Sequence, residues 1–216
     1  MGRMTAPQSP SPYPRWAFRR EDESDDRRFY DSPRLVVHVD EAAVKAIAAY
    51  YGEALPKDGV VLDLMSSWRS HLPEGAAYKK VVGLGMNAVE LAENPQLGER
   101  VVHDLNVEPR LPFADGTFDA AVVTVSVQYL TRPVEVFREV CRVLKPGASF
   151  HVVFSNRCFP TKAVAIWQRL DDEGHAELVA SYFHHSGGWE TPEALDIGPR
   201  LGQPSDPVYV VRGRRT

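Results

Sequence analysis

The stretch Leu111-Pro-Phe-Ala-Asp-Gly-Thr-Phe-Asp-Ala-Ala-Val-Val123 decides the fold class. Asp115-Gly116 marks a turn, because glycine reaches backbone angles that other residues enter only at a steric cost. Residues 118–125 are then apolar and rich in β-branched side chains, the composition of a strand buried on both faces. Pro133 opens a helix running to Leu144, with Val136, Phe137, Val140 and Leu144 on one face. Lys145-Pro146-Gly147 ends that helix, and residues 149–155 form the next strand.

The same alternation extends upstream. Asp40 is an N-cap for a helix that carries Ala43, Ile47, Tyr50 and Tyr51 at helical spacing. Lys57-Asp58-Gly59 is a turn. Val60-Val61-Leu62-Asp63-Leu64 is a buried strand containing an acid, and residues 80–84 form a second strand. Residues 87–93 are helical, and residues 101–103 form a third strand that leads into Asp104. Downstream, helix signals run from residue 162 to about 184, and two strands close the chain near 189–197 and 207–213. Strands alternating with helices imply parallel pairing and right-handed crossovers. In such an open sheet a ligand sits beyond the carboxyl ends of the strands. That rule gathers residues 63–71, 85–87, 104–106, 126–129 and 156–162 around one crevice.

Composition narrows the function classes. The chain has 216 residues, 44% of them hydrophobic, which suits one α/β domain plus a tail. A net charge of −4 gives no electrostatic support for a nucleic-acid partner. No apolar run approaches the roughly 20 residues of a membrane span. The two cysteines, Cys141 and Cys158, have neither disulfide-framework nor zinc spacing, so a reducing cytoplasm is the expected compartment. Residues 1–28 are Pro-rich and then charge-rich, and a mobile tail is expected there, with order beginning near Phe29. Arg3, Arg15, Arg19 and Arg20 give that tail a faint likeness to a transit peptide, which Pro7, Pro10, Pro12 and Pro14 oppose by breaking any amphipathic helix.

The segment 111–123 resembles the signature LPFxDxSFDxVV of class I S-adenosylmethionine (SAM)-dependent methyltransferases. Phe137-Arg-Glu-Val-Cys-Arg-Val-Leu-Lys-Pro-Gly147 resembles that family's following helix and turn, FREVxRVLKPGG. Both stand in the expected order after Val61-Leu-Asp-Leu64, and the likeness covers roughly residues 35–213, closest to the small-molecule branch called type 11. It implies a Rossmann-like three-layer α/β sandwich with a mostly parallel seven-stranded sheet and an antiparallel last strand. It also implies SAM as cofactor and S-adenosylhomocysteine (SAH) as product. Asp104 falls where the family's third-strand acid takes the adenine amino group, and Leu105 would offer its N–H to the ring. The alternative for Asp104 is an acid that caps a turn. Asp63 matches the acid of the first motif, which reaches the methionine amino group through water or else braces the loop.

Two departures from the family stand out. Its first loop is glycine-rich, whereas here Asp63-Leu-Met-Ser-Ser-Trp-Arg-Ser-His71 contains no glycine, so Met65, Ser66 and Ser67 must turn with side chains present. Ser66 and Ser67 hydroxyls then become candidate donors to the methionine carboxylate. At the end of the second strand Gly85, followed by Met86 and Asn87, stands where the family has a ribose-binding acid, and Asn87 is a neutral substitute. Losing a charge-assisted pair costs about 1.5–3 kcal/mol. Gly83-Leu-Gly85-Met-Asn-Ala88 also matches the dinucleotide pattern GxGxxA, although it follows a second strand and not a first.

For the chemistry, His71, Gln128 and Tyr129 are candidate catalytic groups, and Ser126 a cofactor contact, because they follow strands whose tips face the crevice. Asn156, Arg157, Cys158 and Lys162 are candidate substrate contacts, with the two cations suited to an anionic group. Arg34, His38, Phe29 and Tyr30 are expected to fold over the crevice as a lid, the alternative being an N-terminal segment that merely packs on the sheet. Two function classes stay open: an enzyme acting on a small molecule, and a non-catalytic or regulatory protein that keeps the fold.

Overall fold

The strands are β1 (Val60–Leu64), β2 (Lys80–Gly85), β3 (Glu99–Val102), β4 (Phe118–Thr124), β5 (Leu144–Phe154), β6 (Glu193–Asp196) and β7 (Tyr209–Arg214). In this computed structural model, which describes residues 12–199 and 205–216, they form one sheet in the order β3-β2-β1-β4-β5-β7-β6. Pairings from β3 through β5 are parallel, and β7 runs antiparallel to both β5 and β6. The expected mostly parallel sheet with an antiparallel last strand is therefore present. Strand order reverses between β1 and β4, so a crevice opens at their carboxyl ends.

The helices are α1 (Asp26–Tyr30), α2 (Glu41–Ala54), α3 (Ala88–Glu93), α4 (Pro133–Val143) and α5 (Asp172–Ser186). Side chains alternate across a strand, so β4 serves two cores. Ala121 and Val123 join Leu62 and Leu64 against Val136, Phe137 and Val140 of α4 and Tyr182 and Phe183 of α5. Ala120 and Val122 join Val61 and Val81 against Ala43, Ile47 and Tyr51 of α2. This double duty is why 118–125 contains almost nothing polar. Asp40 caps α2 by accepting the Ala43 N–H at 2.8 Å, as the sequence predicts.

Two expectations meet a different structure. The helix expected from residue 162 begins only at Asp172, after the Asp171 side chain caps the Gly174 N–H. The preceding residues are diverted: Ala165 N–H donates to Arg19 O at 2.7 Å and Ile166 N–H to Ala17 O at 2.9 Å. Backbone donors given to another segment cannot build a helix. That other segment lies in the expected mobile tail. Residues 1–11 of the tail lie outside the described residues, but 12–28 are packed: Ala17 is fully buried, and Tyr13 rests edge-on against Phe18 and Tyr182.

Candidate functional site

A cleft of about 1190 Å³, its open mouth included, lies over the carboxyl ends of β1, β2 and β4. Of the residues singled out from the sequence, Asp63, Met65, Ser66, Ser67 and His71 line it from the loop after β1. Gly85, Met86 and Asn87 line it from the β2 end, Asp104 and Leu105 from the β3 end, and Ser126 and Tyr129 from the β4 end. Tyr30, Arg34, Val36 and His38 close one side as the expected lid, joined by Phe159. The lid is fastened by Trp68 Nε1, which donates to Val36 O at 2.9 Å, and by Arg34, whose guanidinium lies 4.2 Å from the Phe29 ring centroid.

The glycine-free loop turns by placing Met65 and His71 at φ near +55°, and Val125, opposite, sits at φ +50°. Positive φ is uncommon for ordinary residues and a real outlier for a β-branched one. All three line the cleft, so backbone strain is concentrated at this site. Polar side chains replace glycine in holding the loop. Ser66 Oγ donates to Asp63 at 2.5 Å, Ser67 Oγ to Glu90 at 2.6 Å, and Asn94 Nδ2 donates to Ser67 O and Ser70 Oγ at 2.9 Å. Both serine hydrogens are thus used inside the protein. This corrects the expectation that these hydroxyls donate to a methionine carboxylate.

The two departures from the family pattern are physically one. Ser66 N–H pairs with Leu84 O at 2.8 Å, which draws the loop across the tip of β2. A Cβ on Gly85 would fall on the Ser66 carbonyl, so no acid can stand there. Asn87 does not replace it. Its Oδ1 caps the Val89 and Glu90 N–H groups, and its Nδ2 donates to Tyr30 O at 2.7 Å. The glycines of the dinucleotide-like pattern also serve packing: a Cβ on Gly83 would strike Leu97.

At the β3 end, Asp104 Oδ1 accepts the Asn106 N–H at 2.9 Å, the turn-capping role weighed above. Its side chain still lines the cleft, and Leu105 N–H meets no acceptor among the described residues. At the other end Asp63 is buried with no cation beside it among the described residues. Burial raises its pKa to about 7, against the lowering effect of bonds from Ser66 and Ser70. His71 is neutral near pH 7: burial, then repulsion from Arg69 and His38, lowers its pKa to about 4. Its Nδ1 is buried and has no hydrogen-bond partner.

Five predicted site residues stand outside the cleft lining. Gln128 is fully buried and donates to Val125 O and Arg157 O, bracing two loops instead of meeting a reactant. Asn156 is exposed on the outer surface. Arg157 pairs with Asp206 at 2.6 Å. Cys158 is half-buried, which raises its thiol pKa. Lys162 has no exposed surface and is held by Asp22 at 2.9 Å, Asp26 at 3.0 Å and Ser24 O at 3.0 Å. The anion-gripping expectation for the two cations is corrected: each already has its carboxylate. Arg34 and Arg69 are the cleft arginines without a carboxylate partner among the described residues, Arg34 donating to Phe29 O and Arg69 lying by the Trp68 ring. Glu90 lines the cleft too, as does Asp26 from the packed N-terminal strap of residues 12–28, and neither stands among the candidates read from the sequence. An acid in the first turn after Asn87 was the available signal for Glu90; nothing local marked Asp26.

Residues 67–152 match the family model described as a methyltransferase domain. That segment is about two fifths of the chain, and over it the chain is similar to methyltransferase domains. The domain is 41% identical over 78 residues to methyltransferase phqN of Penicillium fellutanum, a match covering 33% of this chain and 24% of that protein. The chain spans no more than about a quarter of the curated relatives it matches. Among solved structures the domain is similar to the SAM-dependent methyltransferase from Mesorhizobium loti (TM-score 0.52, 16% identity, 79% of this chain and 98% of that one). It is also similar to the [4+2]-cyclase SpnF (TM-score 0.58, 14% identity, 85% of this chain and 88% of that one). At such identities the likeness establishes the fold of the domain.

SAM fits the domain at two points. Its cationic methionine end suits the buried, uncompensated Asp63, and its adenine suits Asp104 and the Leu105 N–H. At the ribose position the usual acid is sterically excluded.

Proposed function

We propose that this chain is a SAM-dependent methyltransferase acting on a small molecule. The observation that carries the reading is Asp63, a buried carboxyl that lacks a cation and lines the same cleft as Asp104 and Leu105. A buried acid is stabilised in its charged form only by a partner, and a cationic ligand supplies one. When bound, SAM would supply an electrophilic methyl group. The chain's own part is then alignment and proton removal. His71, neutral at pH 7 and facing the cleft, is placed to accept a proton from the acceptor. The Tyr129 hydroxyl is less available: it accepts the Phe159 N–H at 2.9 Å, and burial raises its pKa to about 12.

The acceptor's compartment is the lid side, between Tyr30, His38, Tyr129 and Phe159. Arg34, without a carboxylate partner among the described residues, favours an anionic group on that acceptor. The net charge of −4 favours a small molecule over nucleic acid. No helix among the described residues is long and apolar enough to cross a membrane. The neighbour named as a [4+2]-cyclase makes a second reading concrete: the fold retained for something other than methyl transfer.

Calorimetry with SAM and SAH, with Asp104→Ala as control, tests the reading. Binding by the wild type that weakens in the variant supports it. No binding at millimolar ligand ends it, and unchanged affinity in the variant moves the adenine elsewhere. SAH release in a screen of acidic metabolites then separates transfer from mere binding.

A further inference from the structure

Glu90 is a buried carboxylate with no ion-pair partner among the described residues, the lid side chain His38 being the titratable group that feels its charge. It sits in the first turn of α3, five residues after Gly85, with 7% of its surface exposed, and it lines the cleft. Oε1 accepts the Arg34 N–H at 2.8 Å, and Oε2 accepts the Ser67 hydroxyl at 2.6 Å. Both donors are neutral, and no cation pairs with Glu90 among the described residues. An ionised carboxylate has about four acceptor sites, so one remains open on each oxygen.

We propose that Glu90 binds the ribose diol of the cofactor, taking the place of the acid that Ser66 excludes from position 85. The proposal rests on the SAM reading above. A vicinal diol offers two adjacent O–H donors, which match the one open site on each carboxylate oxygen. Hydrogen bonds to a charged acceptor are about twice as strong as neutral ones, which is reason to keep a charge here. The competing role is a brace that ties the β1 loop to the lid. A brace needs only a neutral acceptor, because both present donors are amide and hydroxyl. Burying an unpaired carboxylate for that purpose adds desolvation cost without adding a bond. The Arg34 bond adds a consequence: filling Glu90's open sites draws on the same carboxylate that holds the lid backbone, so ribose contact and lid closure are coupled.

The test is a ligand–variant cycle by calorimetry, with adenosine, 2′,3′-dideoxyadenosine and SAH as probes. The wild type is expected to prefer adenosine over the dideoxy analogue by about ten- to a hundredfold. Glu90→Gln is expected to reduce that preference to about threefold or less, the ratio of the two affinities being the readout. Glu90→Asp, which keeps the charge, serves if the glutamine variant misfolds, and is expected to retain part of the preference. A brace would lower thermal stability and leave the diol preference intact, and that result overturns the proposal. If SAH binds and responds to Asp104→Ala while Glu90→Gln changes nothing, the Glu90 assignment alone fails. If the wild type binds neither SAH nor adenosine, the SAM reading fails and takes this one with it.

Discussion

Lys162 Nζ lies 3.0 Å from Asp26 Oδ1, and the lysine has no exposed surface. Arg20 binds both oxygens of the same aspartate at 2.8 Å, and Asn106, next to the cleft residue Leu105, reaches Oδ2 at 3.0 Å. The cluster buckles the N-terminal segment onto the loop after β5. Removing one partner of a buried ion pair leaves a stranded charge and costs about 3–5 kcal/mol. Lys162→Met is expected to lower unfolding free energy in urea by that order. Arg157→Ala, where the arginine is exposed and Asp206 keeps a second donor in the Asp40 N–H, is expected to cost less than about 1 kcal/mol. Equal losses would mean that water reaches the Lys162 cluster.

Gly85→Ala is expected to destabilise the protein by about 1–3 kcal/mol or more, since its Cβ would lie 2.1 Å from the Ser66 carbonyl. Gly85→Asp, the change toward the family's usual acid, is expected to be worse. Gly52→Ala should have the opposite sign. Gly52 lies inside α2, where a Cβ meets only Pro73 at 3.6 Å, and alanine there gains about 0.5–1 kcal/mol of helix propensity. Thermal unfolding of the three variants separates these outcomes. A stable, well-folded Gly85→Asp protein would show that the β1 loop can withdraw from β2.

Asp63 and His71 titrate in opposite senses. With its folded pKa raised from 3.8 to about 7, Asp63 contributes stability below pH 4 that is lost as pH rises to 7. With its folded pKa lowered from 6.5 to about 4, His71 contributes stability above pH 6.5 that is lost as pH falls toward 4. Between pH 4 and 6.5 the two contributions offset. Asp63→Asn removes one of them, so the variant's stability relative to wild type is expected to rise from pH 4 to 7, by at most on the order of 4 kcal/mol. Denaturant melts of both proteins across that range check this. A difference that stays constant with pH would place Asp63 in contact with water.

Cationic ligands add a second pH signature. Binding of SAM favours ionised Asp63, so affinity is expected to rise from pH 6 to 7.5, with the wild type releasing a proton on binding that Asp63→Asn does not release. Calorimetry in buffers of different ionisation enthalpy reads the protons released. A pH-independent affinity would detach Asp63 from the ligand's cationic end.

Cys158 offers a simpler check. Burial raises its thiol pKa, so less of it is thiolate at neutral pH. Alkylation by iodoacetamide in the native protein is expected to be several-fold slower than in urea, as read by mass spectrometry. Equal rates would restore it as a reactive group.

The sheet was legible because β4 and α4 write their environments into sequence. A strand buried on both faces has no room for polar residues, and Pro133 and Gly147 punctuate the helix between β4 and β5. The β3 and β1 ends of the cleft followed from strand order. What escaped was non-local. Nothing within residues 162–166 announces that Arg19 and Ala17 will take their backbone donors, and nothing near Lys162 names Asp22 and Asp26. The loop after β1 was recognised as unusual from its missing glycines. That Ser66 would occupy the space over Gly85, joining two anomalies into one, required the coordinates.

The strap also bears on how the protein is made. Residues 17–22 pair with 161–166, partners about 140 positions away, so their contacts close one of the longest loops in the chain. Such closures come late, after the sheet that receives them exists. Residues 17–22 must therefore wait, unpaired, until β5 has been synthesised and seated. A nascent chain halted before residue 161 would have β1 through β5 but an unwalled cleft, and residues 17–22, translated well before the sheet is complete, would be among the last to reach their native places.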